Sequence, residues 1–113
     1  MIKRLLIHPE ELSKKWIDRM ADHGVDVLGI HPAGGEESDK HIENMLALLE
    51  TDAYRSLLDY AIQRELKIEY EMHAASFLVK RELFDDHPEY FRMDETGNRV
   101  KAFNCCPSSL EAM

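Results

Sequence analysis

The sequence predicts an α/β fold, a partial TIM-type (β/α) barrel in which crossover helices join three parallel strands in the order βαβαβ, followed by a long loop. Short apolar runs at 2–7 and 25–30 and a third predicted strand at 67–72 alternate with segments of helical periodicity. Because each connection is too long for a hairpin, we expect the strands to pair in parallel. We expect residues 1–113 to form a single domain, the truncated N-terminal portion of a (β/α)8 barrel.

The first unit of this pattern is strand, helix, strand. Ile2–Ile7 is a nearly continuous apolar run, typical of a strand covered on both faces, and Pro9 ends it. Val25–Ile30 repeats this pattern and ends in the same tripeptide, Ile-His-Pro. Between the two runs, from Glu10 to a stop at Gly24, apolar residues fall on one side of a predicted helix: Leu12, Trp16, Ile17, Met20 and Ala21.

Two further helices and a strand follow. Ser38 or Asp39 caps a helix, Thr51 caps the next one, and residues 67–72 form the third strand. At Glu65, a glycine would close the last helix more naturally. The apolar positions of the two helices are Ile42, Met45, Leu46 and Leu49 in the first, and Tyr54, Leu57, Leu58, Ala61 and Ile62 in the second.

The segment from Ala74 to Cys106 has no clear period and is predicted to be a long loop. Its aromatic residues could stack on a sugar, but for Phe84 and Phe91 we favour a small core that holds the loop down. A turn is predicted at 95–98, and a capping box at Ser108 predicts the start of another helix.

The composition argues against several kinds of partner. Acidic residues outnumber basic ones 22 to 14, for a net charge of -8, which disfavours nucleic acid. No apolar stretch approaches the length of a membrane span, so no membrane partner is expected. Cys105 and Cys106 are adjacent, which disfavours a disulfide scaffold and favours a cytoplasmic setting. No motif indicates a cofactor.

Each predicted strand is followed by a histidine: His8, His31 and His73. In parallel βα folds the carboxyl ends of the strands share one face, where chemistry is found, so we expect the three imidazoles at one mouth. By strand alternation, Glu71 points to the same side as His73. A buried carboxylate is costly unless it is paired or functional, which makes Glu71 a candidate site residue.

Simpler interpretations stay open. Each histidine could bond a neighbouring loop, and Glu71 could form a salt bridge with Arg81 or Lys80. The adjacent cysteines are more often structural than nucleophilic when no base is recognisable. A metal-dependent hydrolase or isomerase barrel is a second hypothesis, with four candidate zinc ligands: His8, His31, Glu71 and His73. An inactive fragment that self-associates through an open sheet edge is a third.

Several motifs carry a resemblance to a known family: Glu69-Tyr70-Glu71-Met72-His73, Leu83-Phe84, His87-Pro88-Glu89-Tyr90-Phe91-Arg92-Met93, Gly97-Asn98-Arg99 and Asn104-Cys105-Cys106. This pattern resembles a family of bacterial glycoside hydrolase-like barrels related in layout to the alpha-glucuronidases. The resemblance implies a carbohydrate substrate and a pocket lined by His31, Glu71, His73 and Asn104. We add Arg81 as a residue that selects sugar hydroxyls. The catalytic acid/base pair is expected outside this chain, and Glu71 is expected to support binding.

Overall fold

The computed structural model describes residues 1–101 and Cys106, and these fall into two compact units. The first unit contains Met1–Pro32 and Asn44–Glu71, and the second contains Ala33–Glu43 and the described residues from Met72 onward. The predicted helix at Ser108 lies outside the described residues. Within the described part of the chain, no helix has both the length and the apolar character that crossing a membrane requires.

The first unit is built on a parallel sheet of three strands, as predicted. The strands are β1 (Arg4–Ile7), β2 (Val27–Ile30) and β3 (Lys67–Tyr70), in the order β1-β2-β3. β2 is buried along its whole length because it has a strand on each side and side chains over both faces. The predicted α/β class with parallel strands and crossover helices is therefore confirmed.

The strands are shorter than the segments predicted for them. At the amino end, the N–H of Lys3 donates to the Asp26 carboxylate at 2.8 Å instead of to a strand carbonyl, and β1 begins at Arg4. Ile2, which precedes Lys3, is 60% exposed. At the carboxyl end, β3 stops at Tyr70, although the N–H of Glu71 still donates to Ile30 at 3.0 Å.

The helices are α1 (Lys14–Asp22), α2 (Ser38–Leu49) and α3 (Asp52–Gln63). The prediction placed the start of α1 at Glu10, which is too early. Pro9 opens a separate 3-10 turn there, and Ser13 then caps α1 by accepting from the N–H of Trp16 at 3.2 Å. The predicted cap at Thr51 is confirmed, since its hydroxyl accepts from the N–H of Tyr54 at 3.3 Å.

The core of the first unit joins the sheet to α1 and α3. Its buried apolar side chains include Ile7, Leu12, Ile17, Met20, Leu28, Ile30, Tyr54, Ala61 and Leu66. Glu65 links α3 to β3 with φ of 66°, a left-handed conformation that favours glycine. The sequence-based expectation that glycine would suit this position is therefore confirmed.

The second unit contains short helical turns where the sequence predicted an aperiodic loop. They are α4 (Ala74–Phe77) and two 3-10 turns, Arg81–Phe84 and Pro88–Tyr90. An isolated antiparallel bridge joins Met93 to Arg99. Turns of three or four residues are too short to leave a periodic apolar pattern, which explains why the sequence did not reveal them.

Two smaller predictions for this unit are confirmed. Phe84 packs edge-on against the buried Phe91, with ring centroids 5.2 Å apart, and Val79 joins them in a small core. The turn at 95–98 also forms. The carboxylate of Asp94 accepts from the N–H groups of Thr96 and Asn98, both at 2.9 Å, and thereby fixes the turn.

Candidate functional site

The carboxyl ends of the three strands meet at one edge of the sheet in the first unit. The residues that follow β1, β2 and β3 are His8, His31 and Glu71, which we call the edge residues. Hydrogen bonds continue the ladder to this edge: His31 donates to Ile7 and Glu71 donates to Ile30, both at 3.0 Å. The edge residues therefore follow three laterally adjacent strands.

Register places the edge residues on one face of the sheet. Leu6, Gly29 and Glu69 are Cα partners across the sheet, so their side-chain positions share a face. The edge residues come two positions later in each strand and have the same parity. The sequence predicted His8 and His31 at this edge, but it expected β3 to run on to His73, whereas β3 ends at Tyr70 and is followed by Glu71.

The ring of His8 is held by a neighbouring backbone group. Its Nδ1 lies 3.0 Å from the carbonyl oxygen of His31. Because a carbonyl oxygen only accepts, Nδ1 must donate, and Nε2 is then the acceptor of the neutral ring. The backbone N–H of His8 donates to the Glu11 carboxylate at 2.8 Å, which ties the 3-10 turn to the end of β1.

A cavity of about 370 Å³ opens beside these groups and is lined by Leu6, Ile7, His8, Glu11 and His31. His31 is half-buried, whereas His8 and Glu11 are exposed. Glu11 was not among the site residues predicted from the sequence. Its signal was the spacing His-Pro-Glu-Glu, in which a glutamate three residues after the turn's first residue can bond back to that residue's N–H.

Glu71 is exposed in the structure, so the expected cost of burying a carboxylate does not apply to it. On the same face, the guanidinium of Arg4 reaches across β2 to the Glu69 carboxylate, with Nε 3.0 Å from the nearer oxygen. This hydrogen bond is the main reason that the pKa of Arg4 is raised, and the charge of Glu71 adds to the effect. The edge therefore combines carboxylates with imidazoles.

Arg81 belongs to the second unit, where its guanidinium serves as a structural anchor. It is 6% exposed, and its nitrogens donate to the carbonyls of Glu36 and Val79 and to the hydroxyl of Ser38 at 2.7–3.1 Å. Its backbone N–H donates to the Asp39 carboxylate at 2.8 Å. These contacts fix the turn that starts at Arg81, and the predicted role in sugar binding stays a prediction.

The remaining predicted site residues are less informative. His73 directly precedes α4 at its N-cap position, without a capping hydrogen bond from its side chain, and its ring stacks against Phe77 with centroids 6.1 Å apart. Lys80, one of the alternative partners of Glu71, places its amine 3.1 Å from Glu43. Asn104 lies outside the described residues, as does Cys105, while the N–H of Cys106 donates to Tyr90 at 2.6 Å.

The metal hypothesis requires several ligands close together. Across residues 1–101 and Cys106, no group of three or more histidine, cysteine, aspartate or glutamate side chains is placed to hold a metal ion. The contact between His8 and His31 joins the imidazole of His8 to the backbone carbonyl of His31, so it does not pair two imidazoles as metal ligands. The geometry of this part of the chain therefore provides no support for a zinc site.

Comparison with known proteins gives one solved structure of interest. No family model and no curated protein matches the chain. A beta-galactosidase from the psychrophilic Marinomonas ef1 is similar in structure, with a TM-score of 0.60 and 24% sequence identity. The match covers 98% of this chain and 17% of that chain, so the chain spans about a sixth of the enzyme's length. The fold seen here is thus similar to a segment of a known glycosidase structure.

Proposed function

We propose that this chain is part of a carbohydrate-active, glycoside hydrolase-like (β/α) barrel and contributes one side of the substrate pocket. The observation that carries the proposal is the likeness of nearly the whole chain to a segment of a beta-galactosidase. Supporting it, His31 and Glu71 lie at the carboxyl edge of the parallel sheet, which is where barrel enzymes bind their substrates.

The chemistry of the edge suits binding of a sugar. Glycosidic cleavage uses two carboxyl groups about 5–10 Å apart, one of which protonates the leaving oxygen. In the proposal, Glu71 is an exposed carboxylate that accepts hydrogen bonds from substrate hydroxyls, and the half-buried His31 helps to orient the ring. The acid/base pair is supplied by parts of the barrel outside this chain.

The narrower elements of the proposal rest on the sequence. A relation to the alpha-glucuronidases is supported by the motifs between Glu69 and Cys106. His73 and Asn104 are proposed as further sugar-binding residues on the basis of the same motifs, and Arg81 as a hydrogen-bonding group that selects sugar hydroxyls. A cytoplasmic location is also a proposal, based on the adjacent cysteines.

The test is a binding titration with methyl β-D-galactopyranoside, followed by two-dimensional NMR of the isotopically labelled chain. Wild type is expected to bind weakly, and Glu71→Gln is expected to reduce the affinity severalfold because a charge-assisted hydrogen bond becomes a neutral one. Glu65→Gln is the matched control, since it removes the same charge just before β3 instead of just after it. Equal affinities of wild type and Glu71→Gln would remove Glu71 from the site.

A further inference from the structure

Leu6 and Gly29 form an interlocked pair on the face of the sheet that carries the edge residues. The two are Cα partners in the β1–β2 register. A Cβ added at Gly29 would lie 2.3 Å from Cδ2 of Leu6 and 3.3 Å from its Cγ. The side chain of Leu6 therefore occupies the space that a side chain at Gly29 would fill, and it crosses from its own strand onto β2.

This position makes Leu6 an apolar surface at the sugar-binding edge. Within this chain its side chain is 49% exposed. Leu6 also lines the cavity of about 370 Å³ that contains His8, Glu11 and His31. Leu6 thus lies beside two imidazoles and a carboxylate along one shallow, open cavity.

The combination fits one chemical class of ligand. A small-molecule site usually has an apolar surface with a few fixed polar groups and a volume of about 300–1,000 Å³. A pyranose ring presents a face of C–H groups and a rim of hydroxyls, so Leu6 suits the face and the polar groups suit the rim. Because the Nδ1–H of His8 donates to the His31 carbonyl, Nε2 is the ring nitrogen left to contact a sugar hydroxyl.

We propose that the cavity lined by Leu6, His8, Glu11 and His31 is a monosaccharide subsite, and that Gly29 is a positioning residue for it. The missing side chain at Gly29 lets Leu6 lie across β2 as the apolar floor of the subsite. This inference rests on the proposed carbohydrate function, and adds to it the place where one sugar ring sits and the residue that shapes that place.

The same titration with methyl β-D-galactopyranoside tests the subsite, with the methyl groups of the leucines as reporters. Wild type is expected to show ligand-dependent shifts at the Leu6 methyls. Leu6→Ser is expected to lower the affinity about tenfold, because it removes the apolar contact area of one ring face. Leu5→Ser is the matched control, because Leu5 is the adjacent leucine and points to the opposite face of the sheet. Leu5 lines a different cavity from Leu6.

Gly29→Ala tests the positioning role of Gly29 while keeping the Leu6 side chain. The added methyl group meets the flexible end of the Leu6 side chain, so the fold should survive while Leu6 moves aside. A weaker affinity of Gly29→Ala, with a wild-type pattern of amide resonances away from β1 and β2, would support the proposal. This variant keeps the test decisive even if Leu6→Ser fails to fold.

The failures of the two proposals are distinguishable. If wild type binds the glycoside but Leu6→Ser and Gly29→Ala bind it equally well, the subsite is wrong and the carbohydrate function stands. Shifts confined to residues remote from the Leu6 methyls would likewise exclude the subsite and leave the carbohydrate function intact. If wild type binds no methyl glycoside of either galactose or glucuronic acid, both proposals are overturned.

Discussion

The phenolic hydroxyl of Tyr54 in α3 donates a hydrogen bond of 2.9 Å to the carbonyl oxygen of Pro9. Tyr54 is 4% exposed and Pro9 is also buried, so the bond forms in the core of the first unit. Pro9 directly follows His8, one of the edge residues. The contact therefore fixes the chain at the point where it leaves β1, and it links the core to the candidate site.

Removing that hydroxyl should destabilise the first unit. We expect Tyr54→Phe to lower the free energy of unfolding by about 1–2 kcal/mol, because the Pro9 carbonyl would lose its buried donor. Urea unfolding monitored by circular dichroism provides the measurement. Tyr70→Phe is the control, and it should change the stability by less than about 0.5 kcal/mol since Tyr70 is exposed. An equal effect of the two substitutions would contradict this account.

Tyr54 should also make the stability depend on alkaline pH. Burial is the main cause that raises the pKa of Tyr54 to about 12, from an ordinary value near 10. A raised pKa means that the folded state holds the proton more tightly, so the stabilisation is complete below pH 10 and is lost as the pH rises towards 12. Tyr54→Phe should flatten this part of the stability profile, and an unchanged slope would contradict the assignment.

The left-handed conformation at Glu65 predicts a stabilising substitution. Glu65→Gly should raise the free energy of unfolding by about 0.5–1 kcal/mol, because glycine adopts positive φ without a clash at Cβ. Glu65→Ala separates the effect of the backbone conformation from the effect of the charge, since alanine removes the carboxylate but keeps the Cβ. It should leave the stability near that of wild type. If Glu65→Ala stabilised the protein as much as Glu65→Gly, the charge and not the backbone would be responsible.

The buried guanidinium of Arg81 should be hard to replace. Arg81→Lys keeps the charge but has one nitrogen in place of three, so we expect it to destabilise the second unit by about 2–4 kcal/mol. Hydrogen exchange of amides in that unit is the direct measurement. Arg55→Lys is the control, because its ion pair with Glu50 is exposed and should contribute about 0–1 kcal/mol. Unchanged exchange in Arg81→Lys would show that the anchor has little structural effect.

The parallel sheet could be predicted because it depends on local patterns. Short apolar runs separated by amphipathic helices leave few alternatives to parallel pairing, and β2, with the most continuous run, is the most buried strand. The start of α1 could not be predicted with the same accuracy. Pro9, Glu11 and Ser13 all carry helix-start signals. The hydrogen bonds show that Pro9 opens the 3-10 turn and that Ser13 caps α1.

The candidate site was predictable only where strand geometry determines it. His8 and His31 follow from the ends of β1 and β2, whereas the sequence assigned His73 to the end of β3 and the structure places Glu71 there. The exposure of Glu71 depends on what covers the sheet face and not on its own spacing. The anchor at Arg81 was also unpredictable, because its partners Ser38 and Asp39 lie more than forty residues away in the sequence. Such long-range polar contacts leave no periodic signal.

The most direct test of the central claim is a map of amide chemical shifts during titration of the wild-type chain with methyl β-D-galactopyranoside. We expect the largest changes to fall on the residues that follow β1, β2 and β3, above all His8, His31 and Glu71. Changes clustered instead around Asp26 and Leu66, just before β2 and β3, or the absence of any saturable change, would contradict it.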